Sequence, residues 1–193
     1  MQQSISETDA SDGVRGRILA AAREELSQRG LEASSVRVIA ESAGVTPAMI
    51  NYYFGGKRAL YEAVIREAQG RLHARLGAAI ADGPTAARLA GAYFDFLAEE
   101  PQMQRLLLRE MLDGGVGRFP ELVRPLRKLL MEHFGGDEAV QGALSVFGAI
   151  AGYFIYEPVL GELVGEDPLG PEALARRREH ILALARKIEE FSS

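Results

Sequence analysis

Ala48, Asn51, Tyr52 and Tyr53 fall on one side of a short stretch, and Lys57 and Arg58 follow it closely. Small, hydrogen-bonding or flat uncharged side chains followed by cations suit base edges and phosphate oxygens. They hold no group for breaking bonds. Such a row needs rigid support, and the surrounding residues 34–58, SSVRVIAESAGVTPAMINYYFGGKR, read as a helix-turn-helix. Ser34 and Ser35 offer hydroxyls to the free amides of a first helix, and Val36, Ile39, Ala40 and Ala43 repeat at helical spacing. Gly44 supplies the positive φ of the turn, Ala40 keeps the crossing point small, and Val45 and Ile50 return apolar side chains to the hinge. Thr46 and Pro47 open the second helix as a hydroxyl cap and a first-turn proline, and it runs to about Phe54.

The string GVTPAMINYYFGGKRALYEAV resembles the recognition helix and following segment of the TetR family of bacterial transcriptional regulators, with Gly44, Val45, Ile50, Asn51, Tyr52, Tyr53, Phe54, Lys57 and Leu60 fitting its pattern. Thr46 stands for the common serine. Upstream, RGRILAAAREELSQRGLEASSVRVIAESAG is similar to the family's first helix, its glycine break at Gly30 and its paired hydroxyls, so the resemblance spans about residues 13–72. It implies that Ser35, Tyr52, Tyr53 and Lys57 contact phosphates, while Arg37, Thr46, Pro47, Ala48 and Asn51 face bases or adjacent backbone. Asn51 departs from the frequent tyrosine. The implied activity is that of a regulator, usually a repressor, whose homodimer reads a palindromic double-stranded DNA operator and is released by a ligand.

The 193 residues suffice for a sizeable core and carry a formal charge of −5. The charge is unevenly spread: −3 over residues 1–12, +3 over 13–72 and −5 over 73–193. A positive segment on an acidic body orients the molecule toward phosphate. These boundaries suggest a disordered acidic tail (1–12), a DNA-binding domain (13–72, motif about 35–54) and a ligand-binding and dimerisation domain (73–193). The absence of cysteine removes disulfides and thiolate metal sites. No apolar run long enough for a membrane span and no signal peptide is evident, so a cytoplasmic protein is expected.

Beyond the motif the pattern is helix after helix. Ile18, Ala22 and Leu26 make one face of a first helix, and Leu60, Val64, Ala68, Leu72, Leu76 and Ile80 repeat through a long fourth helix that links the reading head to the body. Further helices are expected at about 84–99, 101–112, 120–134, 137–156 and 171–191, with 157–170 as a long loop. The fold class is therefore all-α with nine helices.

Helix 137–156 is apolar nearly all round and carries small residues at Gly142, Ser145, Gly148, Ala149 and Gly152. The last helix spaces Ile181 and Ile188 seven apart. Ser145, Gly148, Gly152, Ile181 and Ile188 are thus expected in a four-helix homodimer interface, the place where the family commonly dimerises. A monomer whose last helices close its own core fits the same pattern. Tyr93, Met103, Met111, Phe147 and Tyr153 are the residues expected to line a pocket for a small apolar or amphipathic ligand, against the alternative that they are plain core.

No metal, catalytic or cofactor motif is expected. His73, His133 and His180 lie apart, GxSxG and GxxxxGK[ST] are missing, and Arg176–Arg178 reads as charged surface beside Glu172 and Glu179. The leading function is a ligand-responsive DNA-binding regulator. The alternatives are a small-molecule binding protein with a vestigial helix-turn-helix and an α-helical enzyme, the latter without a nucleophile, base or metal constellation.

Overall fold

The computed structural model describes the backbone of residues 3–81, 83, 85–114 and 137–191, with side chains from 13 to 112 (except 82 and 84) and from 140 to 187. Among these residues nine helices and no strand are present: α1 Gln3–Ala33, α2 Val36–Ala43, α3 Pro47–Phe54, α4 Lys57–Ala81, α5 Ala86–Glu99, α6 Pro101–Gly114, α7 Asp137–Ile155, α8 Glu157–Val164 and α9 Pro171–Phe191.

Two differences from the sequence reading stand out. Residues 3–12 continue α1 instead of forming a disordered tail; QSISETDASD contains neither proline nor glycine to stop it. The expected loop 157–170 begins with α8, whose Pro158 sits in the first turn and whose end is the left-handed Gly165 (φ 71°). Punctuation taken for a loop is here the start and stop of a short helix. The helix expected at 120–134 lies outside the described residues.

The chain buries two hydrophobic clusters. Ile18, Ala22 and Leu26 of α1 meet Ile39, Ala40 and Ala43 of α2, Ile50 of α3 and Leu60, Val64 and Ile65 of α4. The second cluster joins Leu72 and Leu76 of α4 to Phe94 and Leu97 of α5, Met103 and Leu107 of α6, Ile150 and Phe154 of α7, and Ile181 and Ala185 of α9. The apolar period of α4 thus serves one core with its first half and the other with its second.

Helix α6 also belongs to both. Leu106 completes the first cluster, whereas Leu107 and Leu108 lie in the second. Consecutive residues point about 100° apart around a helix, so three leucines in a row supply side chains to more than one face. The seam is reinforced by polar contacts: the Tyr61 hydroxyl donates to the buried Glu110 carboxylate, and Gln102 donates its amide to Glu24. Arg23 pairs with Glu67 at 3.1 Å within the head.

Candidate nucleic-acid interface

The reading head is assembled by its caps. Ser35 is extended (φ −114°, ψ 121°), its Oγ accepts the Val38 N–H at 3.4 Å, and its own N–H donates to Glu25 Oε1 at 3.1 Å. Ser34 has another task, donating its hydroxyl to the Leu31 carbonyl at 2.9 Å. At the turn Gly44 is left-handed (φ 64°), and the Val45 N–H donates to the Ala40 carbonyl at 2.9 Å. Ala40 and Ile50 are both buried at this crossing. Thr46 has the extended backbone of a cap but makes no side-chain capping bond, leaving its hydroxyl available, and Pro47 occupies the first turn.

With Ile50 turned inward, Ala48, Asn51 and Tyr52 lie exposed on α3, whereas Tyr53, expected beside them, does not. Arg37, Thr46, Pro47, Ala48, Asn51 and Tyr52 are exposed, Tyr52 by 83%. Tyr53 is half-buried against the first core and meets the Tyr52 ring edge-on at 5.1 Å. Two left-handed glycines, Gly55 and Gly56, then swing the chain into α4. Lys57, expected on a phosphate, donates its Nζ to the Glu32 carbonyl at 2.9 Å and so ties the start of α4 to the end of α1.

Two arginines were missed by the sequence reading. Arg17 Nε donates to the Ala43 carbonyl at 3.2 Å, satisfying an acceptor at the end of α2. The Arg15 guanidinium lies 5.0 Å from the Phe54 ring centroid, against the last turn of α3. Both precede Ile18 on the first helix, and the basic pair flanking Gly16 was the available signal.

Of the residues assigned to a ligand, Met103 lies in the second cluster and Tyr93, Phe147 and Tyr153 pack against it. Tyr93 stacks on Phe147 (5.3 Å between centroids, 14° between planes), and its burial pushes the phenol well above its ordinary pKa of 10.0. Met103 is buried in the second core, Met111 is partly exposed, and the Tyr153 hydroxyl donates to the Pro168 carbonyl at 2.6 Å. A groove of about 480 Å³ opens instead between α4, α5 and α9, and none of the five lines it.

The residues expected at a dimer interface also divide. Ser145 and Gly148 are exposed on α7, and a Cβ at Gly148 would meet nothing among the described residues within 4 Å; a Cβ at Gly152 would stand 3.8 Å from the Tyr156 ring. Ile181 is fully buried in the chain's own second core, so it cannot serve a partner. Its spacing to Ile188 marks an apolar face without saying whose core that face fills. The side chain of Ile188 lies outside the described residues. Leu144 on α7, Tyr156 at its end, and Val159 and Leu163 on α8 are apolar side chains left exposed.

A helix-turn-helix head joined by a shared helix to an all-α body defines the class of protein. The description "Bacterial regulatory proteins, tetR family" matches residues 18–64. Those residues, the core of the reading head, are a domain of that family. It is 36% identical over 118 residues to the HTH-type transcriptional regulator RutR of Escherichia coli K12, covering 60% of this chain and 56% of that one. To UidR of the same organism it is 39% identical over 61 residues, or 32% and 31% of the two chains. The chain thus spans little more than half the length of RutR in that match. In fold it is similar to a transcriptional regulator from Streptomyces coelicolor (TM-score 0.72, 22% identity, 91% and 97% of the chains covered). It is also similar to FadR from Bacillus subtilis, solved in complex with stearoyl-CoA (TM-score 0.63, 20% identity, 92% and 97% covered). Among the described residues no single helix is long and apolar enough to cross a membrane, and no acid–histidine cluster could hold a metal ion.

Proposed function

We propose that this protein is a sequence-specific, DNA-binding transcriptional regulator of the cytoplasm, a homodimeric repressor that leaves its operator when a small ligand binds. The observation that carries the reading is the two-sidedness of α3. Ile50 is locked into the core while Ala48, Asn51 and Tyr52 stand free on a helix opened by Pro47 and closed by the left-handed Gly55, the geometry needed to enter a major groove. Arg37 and Thr46 are exposed beside that face, and Ser35, Tyr53 and Lys57 would grip the backbone. A dimer through the outer face of α7 would present two such heads to a palindromic site. The test is to select genomic fragments on the purified protein, sequence them and measure binding of the recovered site by mobility shift. Recovery of a palindrome bound far more tightly than scrambled DNA supports the reading; uniform weak retention of all fragments points to a head that no longer reads sequence.

A further inference from the structure

From Thr46 to Phe54 the chain reads TPAMINYYF, so α3 and its cap carry no lysine, arginine or acid. Guanine is read most often by the two-pronged contact of an arginine or lysine with its O6 and N7, and α3 offers neither. The exposed Arg37 belongs to α2, the helix that crosses the phosphate backbone in this motif. What α3 turns outward is a methyl at Ala48, a carboxamide at Asn51 and a phenol at Tyr52.

The Asn51 carboxamide is exposed and makes no hydrogen bond among the described residues. Its Oδ1 lies beside Gly56, where a Cβ would stand 3.6 Å away, so the residue next to it brings no side chain to cover it. A carboxamide donates and accepts through adjacent atoms. In the major groove adenine presents the complementary pair, an N6 donor beside an N7 acceptor, whereas guanine presents two acceptors, thymine an acceptor and a methyl, and cytosine a donor. Adenine alone satisfies both ends of Asn51.

Ala48 precedes Asn51 by three residues, about 4.5 Å along the helix axis and close to the roughly 3.4 Å step between base pairs. The two therefore meet neighbouring pairs. A methyl group neither donates nor accepts, and its favourable contact in the groove is the C5-methyl of thymine.

We propose that α3 reads A·T pairs, with Asn51 on N6 and N7 of an adenine and Ala48 against the methyl of a thymine at a neighbouring step. The assignment rests on the reading of the protein as a sequence-specific DNA-binding regulator and names the bases that the exposed face of α3 selects.

The test uses the full chain and the site it selects from randomised duplex DNA. Each adenine of that site is replaced in turn by 7-deazaadenine, which lacks the N7 acceptor yet still pairs with thymine, and affinity is measured at fixed salt. At least one adenine should respond, with binding weakened about fivefold or more. Asn51→Ala, at an exposed position, should keep the fold, relax selection at that adenine alone and abolish the response to its replacement. Uracil in place of thymine should cost about threefold at a neighbouring step, a loss that Ala48→Gly removes. Uracil tolerated at every thymine would overturn the part given to Ala48. A tightly bound site in which no adenine depends on Asn51, or in which Asn51→Ala relaxes a G·C position, overturns the assignment and leaves sequence-specific binding standing. Uniform weak retention of all DNA overturns both.

Discussion

A Cβ added to Gly30 would stand 2.7 Å from Nη1 of Arg109, so the break in α1 and the middle of α6 are in direct apposition. Gly30 has φ 74° and ψ 179°, a conformation that is essentially confined to glycine. Gly30→Ala should therefore lower stability by about 1–3 kcal/mol. Urea unfolding measures this, and a loss near zero would mean that the break straightens at little cost.

Lys57 holds the Glu32 carbonyl in the free protein and is the expected grip on a phosphate. Lys57→Ala should lower stability by about 0.5–1 kcal/mol and weaken all DNA sequences alike. The slope of log affinity against log salt should fall by about 1. An unchanged slope with lowered stability would leave Lys57 only its tie to α1.

Gly148→Leu is a clean probe of assembly because nothing among the described residues lies within 4 Å of the new Cβ. The fold and its melting behaviour should survive while dimerisation and operator binding fail together. Sedimentation and mobility shift on the same sample decide it. A folded monomer with undiminished operator affinity would remove both the interface and the palindrome.

Tyr93 gives stability an alkaline limit. Burial raises its pKa above 10.0, so above that pH the folded chain retains a proton that the unfolded chain gives up. Its contribution is intact below pH 10 and declines as pH rises through the folded value. Tyr93→Phe should flatten the fall in unfolding free energy above pH 10, and an unaltered profile would assign that fall to other groups.

What the sequence made legible was local. Gly44, Pro47 and Ile50 declare a left-handed turn, a first-turn proline and an inward face within seven positions, and the structure places each accordingly. Long-range pairings left weaker traces. Nothing near Lys57 announces the Glu32 carbonyl, since that bond depends on how α1 ends. Ile181 carried the right pattern for the wrong neighbour, because an apolar stripe records burial without naming what buries it. Arg176, Arg177 and Arg178 read as charged surface beside Glu172 and Glu179, and they pair with Glu166, the Ala149 carbonyl and Asp95.

Leu106 makes the reading head an unfinished module. Its side chain comes from α6, some forty residues beyond the head's last contribution from α4, and it closes a core otherwise built from residues 18–65. A head cut out at the end of that span would carry a vacancy the size of a leucine, and one grafted onto a different body would meet whatever that body's sixth helix offers. Portability of DNA specificity among such proteins would then require transplanting the underside of α6 together with the helix-turn-helix.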